Sequence, residues 1–292
     1  MKNYNRKFVL STIIPLFTEV AIFMVIPIIG TLLISLMNYS PLGDANTFIG
    51  IENYKRLLSD DSFKIALKNT LFFTFAAVAI NIVISLFIAA LISQLKSNKT
   101  RSFFRMMMFL PCIAPMVASS VVWLRTIYPK NGLLNQLFIL FGANAISFTG
   151  DARYLMTSVI IFTLWADLGY NIILFCAGID GIPTDIYEAA NIDGAGTFKK
   201  FFKITLPLLA RTMAFVTLMT LISYFQMFAQ FEVLVVKGGP QQSGLVLTSY
   251  IYKTAFGYRE MGYAAAISVV LFVVILIVSF VQKRMDKVDW EY

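Results

Sequence analysis

Along the chain, long apolar runs alternate with shorter polar segments, and the runs are too uniform to be the one-sided stripes of soluble helices. Six stand out, over about 8–37, 70–92, 106–127, 155–177, 206–231 and 264–281. At about 1.5 Å per residue each can cross a hydrocarbon layer of about 30 Å as a helix. In lipid the backbone must satisfy its own hydrogen bonds, which makes helices the default for such runs. The pattern predicts an all-α polytopic membrane protein of six transmembrane helices, with residues 1–292 forming a single transmembrane domain. Lys2, Arg6 and Lys7 precede the first run as they would in a signal peptide. The run is too long for a cleaved signal core and no clear small-residue cleavage site follows, so a retained signal-anchor is expected. Pro15 and Pro27 are expected to kink it.

The polar links predict orientation. Lys96, Lys99, Arg101 and Arg105 crowd the short link between runs two and three, with no acid among them. Such a link is expected on the cytosolic side. The basic N-terminus and the tail with Lys283, Arg284 and Lys287 then share that side, and 38–69, 128–154 and 232–263 are external.

Composition narrows the class. Hydrophobic residues make up 58% and charged residues 14%, against roughly 45–50% and 25% in soluble domains. Mean hydropathy is +0.75. These values exclude a disordered chain, a nucleic-acid-binding domain and an ordinary soluble enzyme. There is no histidine, which removes the commonest general base and metal ligand. Cys112 and Cys176 lie in separate apolar runs and form no CxxC motif, so neither a disulfide framework nor a zinc site is expected. The net charge of +8 fits cations held on the cytosolic side.

The link between runs four and five is unusual for a membrane loop. It reads Ile182-Pro-Thr-Asp-Ile-Tyr-Glu-Ala-Ala-Asn-Ile-Asp-Gly-Ala-Gly196, then a basic stretch, then Ile204-Thr-Leu-Pro207. A short cytosolic helix is predicted, with Pro183 at its first position, Asp185 in its first turn and Gly194 as its stop. Ile186, Ala189, Ala190 and Asp193 are expected to share one face, where two alanines permit close approach of another surface. The alternative is an amphipathic interfacial helix with Lys199, Lys200 and Lys203 near lipid headgroups.

Glu188, Ala189, Ala190, Gly194, Ile204, Leu206 and Pro207 occur at the spacing of the EAA loop, and the chain resembles the permeases of bacterial ABC importers. Phe48-Ile-Gly-Ile-Glu-Asn-Tyr54, Asn69-Thr70, Phe109-Leu-Pro111, Gly132-Leu-Leu-Asn135, Gly238-Gly-Pro240, Tyr250-Ile-Tyr-Lys-Thr-Ala-Phe256 and Gly262-Tyr-Ala-Ala-Ala follow in order. Together they resemble the carbohydrate-uptake branch, of MalF/UgpA type. The resemblance implies a type I importer fold and a coupling helix bearing Glu188, Ala189, Ala190, Asp193 and Gly194. It also implies a second homologous permease, two ATPase subunits that bind ATP and Mg, and an extracytoplasmic solute-binding protein. Membrane lipid and a carbohydrate, an oligosaccharide or related polyol, complete the partners, with no nucleic acid. The location implied is the bacterial inner membrane. The chain has no GxxxxGK[ST] loop, so ATP hydrolysis would belong to partners and the chain itself would be no enzyme.

Polar groups inside membrane runs are costly and often functional. Asp167 stands in Trp165-Ala-Asp-Leu-Gly-Tyr170-Asn171, and run five carries Tyr224, Gln226 and Gln230. By the resemblance, Asp167, Tyr170, Phe225 and Phe228 fall at sugar-contacting positions. The candidate substrate path is therefore Asp167, Tyr170, Tyr224, Phe225, Gln226 and Phe228. The residues themselves leave open that Asp167 only bonds a neighbouring helix and that the aromatics only pack. An ion-coupled secondary carrier using Asp167 and Glu19 is the competing class, although such a carrier does not need the EAA helix.

Overall fold

The structure, a computed structural model, describes residues 6–41 and 46–285. Lys2 and Lys287, invoked for orientation, lie outside them. The first run forms helices α1 (Arg6–Val20) and α2 (Ile26–Ser35), joined by one wider π-type turn at Ala21–Val25. Pro27 has no N–H to donate to the carbonyl four residues back, and its ring crowds that turn; the wider turn absorbs both effects. Pro15 stays within α1. A two-residue antiparallel ladder follows, β1 (Met37–Asn38) with β2 (Thr47–Phe48), a small addition to the expected all-helical chain. Helix α3 (Glu52–Ser59) and the long α4 (Asp61–Ser93) come next.

The third run, expected as one helix over 106–127, is two: α5 (Asn98–Ile113) and α6 (Met116–Val122), the latter continued by a π-type turn to Ile127. The two segments meet at 89°. Pro115 causes this, because its ring drives the preceding residue out of the helical region; Ala114 is extended, at φ −69° and ψ 137°. Helix α7 (Leu133–Leu140) and the unbroken α8 (Ala152–Asp180) follow. Helix α9 (Thr184–Ile192) carries the EAA residues, with Pro183 one position earlier than expected, as its cap.

The fifth run also departs from one helix over 206–231. Helix α10 (Thr197–Lys200), a π-type turn and α11 (Leu206–Leu208) form one segment. It meets α12 (Ala210–Phe225) at 68°. Beyond Phe225 the chain tightens, with Gln226 N–H donating to Ser223 O and Met227 N–H to Tyr224 O. The Thr248 hydroxyl donates to the Met227 carbonyl at 2.7 Å, satisfying an acceptor left by the ended helix. Helices α13 (Ala229–Leu234), α14 (Leu247–Tyr252) and α15 (Met261–Met285) complete the chain. Ile13–Ser35, Asp61–Ser93, Ala152–Asp180 and Met261–Arg284 are each long and apolar enough to cross a membrane; counting each bent pair as one crossing brings the number to six.

The described residues group into two compact units. One combines Met1–Lys64 with Tyr250–Val273. There Asn53 Nδ2 donates to the Ser35 and Met37 carbonyls at 2.8 and 3.0 Å, and Tyr54 OH meets Ser35 Oγ at 2.7 Å. The Asp60 carboxylate accepts from the Tyr250 and Tyr263 hydroxyls at 2.5 and 2.6 Å. Burial works against that charge, but these bonds outweigh it and hold the Asp60 carboxyl below its ordinary value.

The other unit, Ile65–Ser249 with Val274–Tyr292, holds a core of Leu86, Ile172, Phe175, Cys176, Ile179 and Leu209 among others. Asn69 Nδ2 donates to the Gln242 and Leu245 carbonyls at 2.9 Å each, and Thr70 Oγ1 accepts from Leu247 N at 2.9 Å. These bonds fasten the Gly238-Gly-Pro240 turn region to α4. Helix α5 crosses α8 at Gly169, where a Cβ would stand 2.0 Å from the Met108 carbonyl oxygen. Only glycine permits that approach.

Candidate coupling segment and solute cavity

The candidate coupling segment is built on the end of α8. Helix α9 turns its Ile186 and Tyr187 onto the core around Ile179, Ile182 and Leu209. Its end is a Schellman closure. Gly194 sits at φ +69°, Gly194 N–H donates to Asn191 O at 3.1 Å, and Ala195 N–H to Ala190 O at 2.9 Å. A side chain at Gly194 would be strained in this left-handed conformation, so the stop predicted from sequence has a backbone reason. Two bonds tie α9 to the following segment: Tyr187 OH with Thr205 Oγ1 at 2.9 Å, and Lys200 Nζ to Asn191 Oδ1 at 2.7 Å.

The face expected to present Ile186, Ala189, Ala190 and Asp193 together is divided. Ala190 is buried and Ile186 half-buried, so both are turned inward; Glu188, Ala189, Asp193 and Gly194 are exposed. A four-residue set at helical spacing is wider than the inward stripe of so short a helix, so it straddles the boundary. The outward surface also carries Ile192 at 87% exposure and Phe198 at 81%, which sequence reasoning missed. Their signal was present: both are large apolar residues in a segment otherwise polar enough to sit outside the apolar runs.

The second site lies between α8 and α12. A cavity of about 120 Å³ is lined by Asp167, Tyr170, Asn171, Met219, Thr220, Ser223 and Tyr224. Three of the six residues predicted for the substrate path thus share it: Asp167, Tyr170 and Tyr224. Asp167 is half-buried, and its carboxylate makes no hydrogen bond or ion pair among the described residues. Tyr170 is 55% exposed, leaving an aromatic face accessible.

Tyr224 is different. Its hydroxyl accepts from Asn81 Nδ2 at 2.7 Å; Asn171 Nδ2 donates to Asn81 Oδ1 at 2.8 Å and to Thr220 Oγ1 at 3.0 Å. This buried chain crosses α4, α8 and α12, and each amide satisfies a group that would be costly to leave unpaired in an apolar interior. Asn81 and Thr220 were not singled out from sequence, although Asn81 interrupts an otherwise apolar stretch of α4.

The remaining three do not line the cavity. Phe225 is 1% exposed and meets Phe75 edge-to-face at 6.1 Å between ring centroids. Gln226 is exposed and Phe228 half-buried beyond the end of α12. Because the helix stops at Phe225, residues 226–228 do not continue the α12 face that carries Tyr224, and neither the polarity of Gln226 nor the resemblance that singled out Phe228 brings them to the cavity.

A carboxylate, hydroxyls, an amide and an aromatic face can bind a polyhydroxylated solute: oxygens accept from its hydroxyls and the ring stacks against its C–H face. The size matters as well. About 120 Å³ is below the roughly 300–1,000 Å³ of pockets that enclose a ligand. The cavity is therefore too small to enclose such a solute by itself and could supply only one wall of a larger site.

Residues 96–287 match the family described as binding-protein-dependent transport system inner membrane component. An arabinooligosaccharide transport system permease protein of Bacillus subtilis (strain 168) is 33% identical over 274 residues, covering 93% of this chain and 86% of that protein. An sn-glycerol-3-phosphate transport system permease protein of Escherichia coli (strain UTI89) is 32% identical over 267 residues, covering 90% and 88%. A chain from the crystal structure of a bacterial alginate ABC transporter, in complex with an alginate pentasaccharide-bound periplasmic protein, superposes with a TM-score of 0.85. It is 22% identical and covers 96% of this chain and 94% of its own.

Proposed function

Since the chain belongs to the binding-protein-dependent transport system inner membrane component family, we propose that it is the permease subunit of an ABC importer that moves a carbohydrate inward. The chain is a non-catalytic membrane subunit of a sugar-uptake transporter and has the type I importer permease fold. In this reading its six crossings act as one permease domain, with both termini and the EAA segment cytosolic. ATP and Mg are bound by two partner ATPase subunits. A second homologous permease supplies the facing wall of the solute path, and an extracytoplasmic binding protein delivers an oligosaccharide or related polyol.

One observation carries the reading most directly: the EAA helix is anchored inward through Ile186, Tyr187 and Ala190 while Ile192 and Phe198 stand almost fully exposed. In a segment that also carries Glu188, Asp193 and three lysines, such apolar exposure favours a protein surface as its cover. Glu188, Ala189, Asp193 and Gly194 lie beside this surface and take the coupling role; Ala190 supports it from behind. Asp167 and Tyr170 are the solute-contacting pair, and Tyr224 shapes the wall from within its hydrogen-bonded chain. Phe225, Gln226 and Phe228 stand outside this cavity.

Affinity isolation of the tagged chain from its native membrane in mild detergent tests the assembly. The expected result is co-isolation of a second permease and an ATPase subunit, with the ATPase lost on Ile192→Asp plus Phe198→Asp. Isolation of the wild-type chain free of any ATPase would refute the coupling role.

A further inference from the structure

A cavity of about 390 Å³ lies behind the coupling segment, bounded by the ends of α4 and α8, the start of α5, and α9 with α10. Its polar lining includes Gln94, Arg101, Asp180, Thr184, Thr197 and Lys200. Its volume falls within the roughly 300–1,000 Å³ of small-molecule sites.

The charges do not cancel inside it. Arg105 Nη2 meets Asp180 Oδ2 at 2.7 Å, so the lining acid is already offset from outside the cavity. Arg101 uses Nε and Nη2 on the Leu95 and Ser93 carbonyls at 2.6 and 2.5 Å. Its Nη1 forms a long ion pair with Asp180 Oδ1 at 4.0 Å, beyond hydrogen-bond distance, so its N–H groups remain open to a closer acceptor. Lys200 gives one donor to Asn191 and retains two. The Thr184 and Thr197 hydroxyls make no side-chain hydrogen bond among the described residues.

Two cations with unused donors and two free hydroxyls around one concavity match the charge and acceptor density of a phosphate oxygen set. We propose that this cavity binds a phosphate-bearing ligand, with Arg101 and Lys200 holding the phosphate and Thr184 and Thr197 hydrogen-bonding it. Ala90, Ile179, Ile182 and Phe201 supply an apolar wall beside them. The cytosolic placement rests on the orientation proposed above; there the phosphate comes from a phospholipid headgroup of the inner leaflet or from a soluble phosphate. Binding by the purified chain does not depend on orientation or on ATP coupling, so it fails separately from that reading.

The test uses the full chain in detergent micelles, titrated with phosphatidylglycerol, with diacylglycerol of the same acyl chains, and with inorganic phosphate against chloride at equal ionic strength. Bound species are counted by native mass spectrometry. Preference for phosphatidylglycerol over diacylglycerol of about tenfold or more, without phosphate binding, supports a headgroup. Phosphate binding that competes with the lipid supports a soluble source. Either should weaken about tenfold in Lys200→Gln, the loss of one charge-assisted bond, and persist in Lys130→Gln, an exposed lysine away from the cavity. Arg101 also holds the end of α4, so Thr197→Phe is the second variant, filling the cavity without altering charge. Binding no stronger than the diacylglycerol and chloride controls, or unchanged in both Lys200→Gln and Thr197→Phe, would overturn the proposal.

Discussion

Asp167 and Tyr224 line one cavity, but their surroundings give them different work. Tyr224 is held in a chain with Asn81, Asn171 and Thr220, whereas the Asp167 carboxylate has no such partner among the described residues. A carboxylate left without a partner in an apolar element is expensive, and a solute hydroxyl can supply the missing bond. Replacing Asp167 by Asn keeps the size and some hydrogen bonding but removes the charge. The expected outcome is weaker uptake, roughly three- to tenfold in apparent affinity for a neutral sugar, with binding-protein-stimulated ATP hydrolysis retained. Tyr170→Ala should cost more, since it removes the exposed ring proposed to stack on the solute. Uptake curves measured with membrane abundance check both; normal transport by both variants at normal abundance would assign the solute site elsewhere. At this scale the sequence revealed the acid and its neighbouring tyrosine because both break an apolar run. It did not reveal that Phe225 packs inward, because core and lining aromatics look alike in one dimension. Nor did it reveal the need for glycine at 169, which arises from a backbone 61 positions away, at Met108.

Elements were legible where local chemistry sets them. The stop at Gly194 follows from the left-handed conformation that glycine tolerates, and the long α8 follows from an apolar run free of proline. The breaks were less legible. Pro115 breaks the third run, whereas Pro15 lies inside α1 without ending it; which proline breaks a helix depends on what can satisfy the freed backbone groups. The end of α12 has no proline or glycine to announce it, and the Met227 carbonyl just beyond it is bonded by Thr248, more than twenty residues away. The four-cation link also reads differently once folded. Arg101 caps the carbonyl end of α4, and Arg105 pairs with Asp180 from α8. For the proposed coupling element, Gly194→Asp forces a side chain into φ +69°, and Ala189→Trp adds bulk on the exposed face. Both should insert normally yet reduce transport at least tenfold, with the ATPase lost or uncoupled on co-isolation. Normal uptake with normal ATPase recovery in either variant would remove the docking role from α9.

Across the whole chain, the decisive feature is what the long helices leave uncovered. The apolar stretch of Ile13–Ser35 has none of its most apolar window buried, and that of Met261–Arg284 only 22%. Phe17, Phe23, Phe87, Ile277 and Phe280 are all more than half exposed. In water such a surface would drive aggregation; in a bilayer it is solvated by acyl chains. That much is already implied by 58% hydrophobic content. What composition cannot supply is the source of energy, because an ATP-driven permease and an ion-coupled carrier place similar surfaces in lipid. The EAA segment distinguishes them: its apolar outer surface has a use in the first and none in the second. The most direct measurement is uptake by membrane vesicles containing the chain with its partner subunits and the loaded binding protein, with ATP and the ion gradients controlled separately. The account predicts accumulation that requires hydrolysable ATP and survives dissipation of proton and sodium gradients. Uptake that persists without ATP and collapses with an ion gradient would contradict it.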